Sequence, residues 1–436
     1  MDNSAFLARR ARLMEHMGRG IAVIPTAPEQ LRNRDTQHPY RADSYFYYLT
    51  GFGEPEAVLV LIAGDAPRSI LFCRDKDMDK EVWDGFRWGP DAAREAFACD
   101  EAYSIKSFDE KLAELLADQP VLWFSLGQES AWDARIAAAL NAVRAQVRAG
   151  KQAPEEIRDV RATLDGMRVV KDGSEIGTMR RAAAISAAAH CRAMRAACPG
   201  RHEYEIEAEL LHEFRQRGCQ APAYASIVAG GANACILHYV ANDQLLKDGE
   251  LLLIDAGGEL DNYASDITRT FPVNGRFSAA QPDVYTLVLE AQAAAIAAIR
   301  PGASFVDPHL AALKVLAQGM LDLKLLQGTR DGLIESEAYK RFYMHRTSHW
   351  LGLDVHDAGA YKSGEVWREL QPGMMLTVEP GCYIRAAADV PAAFHDIGVR
   401  IEDDALVTLA GCEIISQAAP KTIADIEALM AEGNRA

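Results

Sequence analysis

Helical spacing opens the chain: Phe6, Leu13 and Met17 share one face of a segment predicted as a helix over residues 5–17. Short apolar runs follow at 21–24, 57–63 (AVLVLIA), 69–73 (SILFC) and 121–125, and each predicts a strand. Residues 64–68 form the turn between the second and third runs. The intervening stretch 32–52 is polar and aromatic, without a clear period. An Ala/Arg-rich helix is predicted over 131–149. Strands alternating with helices predict a three-layer α/β domain ending near Met167.

From about Lys171 the pattern changes. A helix over 174–197 stops at Pro199-Gly200, and another over 203–217 closes at Gly218. The same unit recurs: 282–299 stops at Pro301-Gly302, and 307–318 is predicted to close at Gly319. The repeat extends into polar positions. Residues 246–257, LKDGELLLIDAG, align without a gap on 370–381, LQPGMMLTVEPG, so that Asp255 matches Glu379. Asp266 in SDITRTF matches Glu402 in RIEDDAL, and His238 in CILHYV matches His356 in LDVHD. Polar matches in one order across apolar repeats indicate an internal duplication. The expected result is a pseudo-twofold domain of two helix-plus-antiparallel-sheet halves meeting at a seam. Asp255 is expected to end one strand and Asp266 to sit on the next, after a turn at 260–261.

Length and charge narrow the picture. A chain of 436 residues suggests two or more domains, and a formal charge of −16 argues against nucleic-acid partners. The eight cysteines form no CxxC pair, which excludes the usual thiolate zinc and redox motifs and suits reduced thiols in the cytoplasm. The N-terminal segment is charged and lacks an apolar signal core, and no run is long enough to span a bilayer.

The chemistry concentrates in residues 341–357, RFYMHRTSHWLGLDVHD, which carry His345, His349 and His356. Asp255, Asp266, His349, Glu379 and Glu402 make five potential metal ligands. Four converging carboxylates repel one another, and divalent cations relieve that repulsion. An oxygen-rich set with one imidazole and no thiolate suits Mn²⁺, Fe²⁺, Co²⁺ or Zn²⁺. Five ligands exceed one tetrahedral ion, so two ions are expected; such sites lower the pKa of water toward ~7 and serve hydrolysis. His238 and His356 remain for proton transfer or for stabilising an intermediate. Arg400, two residues before Glu402, is expected on the same strand face, orienting a carboxylate. His345 is a further candidate. Trp83 and Trp88 in EVWDGFRWG either reach a site or serve as core or interface aromatics.

HRTSHWLGLDVHD, with DAG, SDITRTFPV, VEPG and RIEDD, resembles the signature of the aminopeptidase P and prolidase family of pita-bread metallopeptidases. Residues 38–61, HPYRADSYFYYLTGFGEPEAVLVL, resemble the bacterial aminopeptidase P type. The resemblance implies an N-terminal three-layer α/β (creatinase-like) domain at 1–170, serving oligomerisation and active-site access. It implies a catalytic pita-bread domain at 171–436. Asp255 is then expected to chelate one metal alone, His349 and Glu379 the other, and Asp266 and Glu402 to bridge them, with Glu379 as general base. His238 and His356 are expected beside the substrate, with His345 in the substrate pocket, and Tyr383 and Arg400 behind the metals with Asp255. Mn²⁺ is the family's usual activator. The implied substrates are peptides beginning Xaa-Pro, with prolidase action on Xaa-Pro dipeptides as the alternative. Trp83 and Asp35 match positions that approach a neighbouring subunit's active site in tetrameric members, so a homodimer or homotetramer is expected. One departure stands out: Arg346-Thr347 replaces the frequent Gly-Leu, placing a long cation near the pocket for residues beyond proline.

Overall fold

In the computed structural model, which describes residues 3–433, the apolar runs of the first half pair into one mixed sheet. Its strands are β1 (Gly20–Pro25), β2 (Val58–Ala63), β3 (Arg68–Cys73), β4 (Glu101–Ser104), β5 (Val121–Trp123) and β6 (Glu156–Arg158), in the order β4-β3-β2-β1-β5-β6. Side chains alternate between the faces. Ile21, Val23, Val60 and Phe72 pack under the helices Phe108–Leu116 and Ser130–Arg144. The helices Asn3–Met17 and Ser44–Thr50 meet the sheet at β2, completing three layers. Ser44–Thr50 lies in the stretch that showed no period. Its start is fixed by Asp43, whose carboxylate accepts from the Tyr45 and Phe46 amides at 2.9 Å each. The helix predicted to reach residue 149 ends at Arg144 and gives way to a 3₁₀ turn, Val147–Ala149.

The chain divides between Met167 and Arg168 into two units. In the second, the helix pair Gly173–Ala196 and Glu203–Gln216 precedes β7 (Ala221–Pro222), β8 (Ile227–Gly230), β9 (Leu251–Asp255), β10 (Gly258–Leu260), β11 (Tyr263–Ala264) and β12 (Thr268–Pro272). A second pair, Gln281–Ala298 and Asp307–Asp322, precedes β13 (Lys362–Ser363), β14 (Val366–Trp367), β15 (Met375–Val378), β16 (Gly381–Ile384), β17 (Ile397–Arg400), β18 (Asp403–Thr408) and β19 (Gly411–Ile414). The duplication is visible in the pairing. β9 lies between β8 and β12; β15 pairs with β18, and on its other side runs the segment bearing His349. There Trp350 bridges Leu376, the Thr377 amide donates to the His349 carbonyl (3.0 Å) and the Glu379 amide to that of Thr347 (2.8 Å). The halves join where the Glu402 amide donates to the Thr268 carbonyl (3.0 Å) and the Thr270 hydroxyl to the Arg400 carbonyl (2.9 Å).

The matched glycines after the two carboxylates have a steric reason. A Cβ on Gly257 would lie 1.7 Å from the Ser265 carbonyl oxygen, and one on Gly381 would lie 2.5 Å from the Tyr383 hydroxyl. Two expectations need correction. The helix predicted to stop at Gly319 continues to Asp322. A Cβ on Gly319 would fall 2.1 Å from Leu287 Cδ1, so this glycine permits close approach to the helix Gln281–Ala298 and does not terminate its own. Asp266 sits not on a strand but in the irregular link two residues before β12. Among the described residues, no helix is long and apolar enough to cross a membrane.

Candidate active site

β9 is an apolar strand that ends in Asp255, and Glu379 follows directly after β15, so each half delivers one carboxylate from a strand end. Asp266 and Glu402 come from the links preceding β12 and β18. His349 comes from the extended segment beside β15. These five residues, with His238, His345, His356 and Arg400, line one cavity of ≈ 890 Å³.

Each acid is held individually. Arg400 Nη2 donates to Asp255 Oδ2 at 2.6 Å. The Tyr224 hydroxyl lies 2.6 Å from Asp255 Oδ1 and 2.5 Å from Asp266 Oδ1. Thr268 Oγ1 donates to Glu402 Oε2 (2.7 Å) and accepts from Arg400 Nε (3.1 Å). Thr377 Oγ1 donates to Glu379 Oε1 at 3.3 Å. His349 Nδ1 donates to the Trp350 carbonyl at 2.9 Å, leaving Nε2 to face Asp266 Oδ2 (3.4 Å) and Glu379 Oε1 (3.5 Å). Asp266, His349 and Glu402 each bring a ligand atom within 4.8 Å of the other two.

Burial governs the electrostatics. It pushes Glu379 up to about 7, with Asp266 and Asp255 adding repulsion against the attraction of His349 and Arg400. Burial first, then Asp266 and Glu379, holds Glu402 well above the usual carboxylate range. Asp255 is raised by burial despite Arg400. Burial opposes ionisation of Asp266 as well, but His349 pulls it below its ordinary value. Burial acts to lower His349, yet Asp266 and Glu379 raise it to about 9. So much buried acid, answered by one guanidinium and one imidazole, fits divalent cations. Loss of the His349 proton leaves an Nε2 lone pair aimed at the carboxylates, the arrangement of a ligating histidine whose other nitrogen is fixed by a carbonyl.

A second chain of contacts lies behind the acids. Burial pushes His345 down to about 3, so the ring is neutral and its 3.7 Å approach to Glu379 is not an ion pair. Its Nδ1 faces the Arg346 carbonyl (2.7 Å) and must donate, so Nε2 accepts from the Tyr383 hydroxyl (2.8 Å). Arg400 Nη1 in turn donates to that hydroxyl at 3.0 Å. Tyr383 thus touches Arg400 and His345, not the cavity. His238 and His356 are exposed on the cavity side, and the His356 ring meets that of His349 edge-on, with centroids 4.3 Å apart. Asp357, ion-paired to Arg168 (2.5 Å) and Lys171 (2.9 Å), ties down the loop that carries His356. Trp83 stands on the helix Met78–Asp84 of the first unit and is 86% exposed.

Several participants escaped the sequence reading. Tyr224 and Thr268 are two; Asp404, which accepts from the Asp266 amide at 3.1 Å, is a third. Arg269 is a fourth: fully buried, it pairs with Asp403 (2.7 Å) and donates to the Glu402 carbonyl (2.5 Å). Alternation in SDITRTF and the doubled acid of RIEDD were the available signals. Phe305, His309, Tyr361 and Trp367 also line the cavity, with the Phe305 ring 4.8 Å from that of Tyr361 and 6.3 Å from that of Trp367.

Comparison with known proteins places these features. Residues 177–409 match the model of metallopeptidase family M24, and residues 6–123 match the aminopeptidase P N-terminal domain. The chain is 43% identical to an Xaa-Pro aminopeptidase of Escherichia coli, over 99% of this chain and 98% of the relative. It is 45% identical to one of Haemophilus influenzae, with the same coverage. The structure of Pseudomonas aeruginosa aminopeptidase PepP superposes with a TM-score of 0.99 at 49% identity, covering 100% of this chain and 99% of that one. A zinc-substituted E. coli aminopeptidase P in complex with product gives 0.97 at 43% identity, covering 99% of each chain.

Proposed function

Because the chain belongs to metallopeptidase family M24 and carries an aminopeptidase P N-terminal domain, we propose that it is an Xaa-Pro aminopeptidase, releasing the first residue of peptides with proline second. The observation that carries this reading is the cavity itself, which Asp255, Asp266, Glu379, Glu402 and His349 share with the rings of Phe305, Tyr361 and Trp367.

The donor set divides naturally over two cations. Asp255 would hold one, His349 and Glu379 the other, and Asp266 and Glu402 would bridge, with Mn²⁺ the expected metal and Zn²⁺, Co²⁺ or Fe²⁺ as substitutes. Bound cations supply Lewis acidity and lower the pKa of water from 15.7 toward ~7. Glu379, lining this centre, would take a proton from the attacking water and return it to the departing proline nitrogen. An Xaa-Pro bond offers no amide N–H and a fixed φ, so recognition falls to ring packing. Phe305, His309 and Tyr361 provide apolar faces for the proline. His238 and His356 flank the substrate, where an imidazole stabilises charge developing on the carbonyl oxygen. Arg400 fixes Asp255, and through Tyr383 it fixes His345.

The first domain, residues 1–170, serves oligomerisation and access to the active site, and the catalytic domain spans 171–436. A homodimer or homotetramer in the cytoplasm suits the exposed Trp83 and the eight free cysteines. Assay of Ala-Pro-Ala against Ala-Pro with Mn²⁺ tests the substrate class. Turnover of the tripeptide is expected; an inert tripeptide with rapid dipeptide cleavage makes the protein a prolidase.

A further inference from the structure

We infer that Arg346 and Lys362, gathered about the Trp367 ring, form a subsite for the C-terminal carboxylate of short Xaa-Pro peptides. The inference rests on the Xaa-Pro reading above and adds an end-group preference to it.

The cavity is two-signed. Asp255, Asp266, Glu379 and Glu402 line it, and so do Arg346 and Lys362. Lys362 Nζ stands 4.3 Å from the Trp367 ring centroid, and Arg346 Cζ stands 5.9 Å from the same ring. Both side chains are exposed. Among the described residues, the Arg346 guanidinium makes no hydrogen bond or ion pair, and Lys362 has only a 4.0 Å contact with the exposed Glu365. A guanidinium presents five donors in a planar fork that matches a carboxylate, and these are unspent.

The spacing suits a short substrate. Arg346 precedes His349 by three residues, which keeps their Cα atoms within ~11 Å of each other. An extended peptide advances ~3.5 Å per residue, so the carboxylate of the residue after proline lies roughly 7 Å beyond the scissile bond. Arg346, held within that span of His349, and Lys362, beside it on the Trp367 ring, line the cavity into which that carboxylate would extend. The carboxylate of a longer peptide passes beyond them.

The experiment compares Ala-Pro-Ala with Ala-Pro-Ala-amide, with Mn²⁺, for the wild type, Arg346→Gly, Arg346→Lys and Lys362→Ala. Since charge-assisted pairs are the stronger hydrogen bonds, the wild type is expected to favour the free acid by about tenfold in kcat/KM, through KM. Arg346→Gly is expected to bring the acid-to-amide ratio to about two or less, with Arg346→Lys intermediate and added salt eroding the wild-type ratio. A wild type that treats acid and amide alike refutes the subsite and leaves the peptidase reading standing. So does an Arg346→Gly variant that loses both substrates by one factor. A wild type that hydrolyses neither peptide overturns the Xaa-Pro reading and the subsite together.

Discussion

Thr268→Val removes one hydroxyl from the centre of the site and keeps the shape of the side chain. That hydroxyl accepts from Arg400 Nε at 3.1 Å and donates to Glu402 Oε2 at 2.7 Å. Both partners are buried, at 3% and 1% exposure, so water cannot replace it. Hydrogen bonds to charged groups contribute ~1.5–3 kcal/mol each. On Glu402, burial, Asp266 and Glu379 all favour protonation, and the Thr268 hydroxyl is a force acting the other way. Without it a proton competes better for the carboxylate, and the guanidinium loses a fixed partner. Loss of such supporting contacts weakens metal binding by ~10–100-fold. That corresponds to ~1.4–2.8 kcal/mol. The assay is calorimetric titration of metal-stripped protein with Mn²⁺ at neutral pH, repeated at higher pH, where the deficit shrinks. Thr268→Ser is expected to bind like the wild type. A valine variant with Mn²⁺ affinity within about twofold of wild type refutes a supporting role for the hydroxyl.

Three other outcomes are expected. His356→Ala lowers kcat on Ala-Pro-Ala while metal content by mass spectrometry stays near wild type; loss of the metals would make His356 a ligand. His190 and His309 are both pushed by burial to about 4, against 6.5 for a free imidazole. Between about pH 6.5 and 4 the unfolded chain therefore binds protons that the native chain refuses, and stability falls with pH by up to about 3 kcal/mol per histidine. Urea denaturation across that range checks this, and His309→Asn is expected to flatten the slope; an unchanged slope contradicts it. Gly319→Ala forces a methyl against Leu287, so overpacking of ~1–3 kcal/mol outweighs the ~1 kcal/mol gain in helix propensity. A more stable variant in the same denaturation assay contradicts the close helix approach.

Asp255 and Glu379 were readable from sequence because each follows an apolar run in two aligned copies, and Asp266 and Glu402 because they match farther along the same repeat. Charge at the end of a buried strand, repeated in register, is costly unless it is used. The partners of those acids were not readable. Alternation assigns Thr268 and Arg269 to faces, but it does not say that they meet Glu402 and Asp403 across 134 positions. Tyr224 bridges two acids from a loop without period or repeat. Gly319 shows a related ambiguity, since one residue type serves both helix ends and close helix packing. The helix Ser44–Thr50 was hidden by aromatics on several faces, and only its capping Asp43 marked it.

Equilibrium dialysis of the metal-stripped chain against Mn²⁺, with bound metal counted by mass spectrometry, tests the centre most directly. Two ions per chain at saturation, with Ala-Pro-Ala hydrolysis rising as they bind, is the predicted result. Full hydrolysis by a chain that saturates with one ion, or with none, would contradict it.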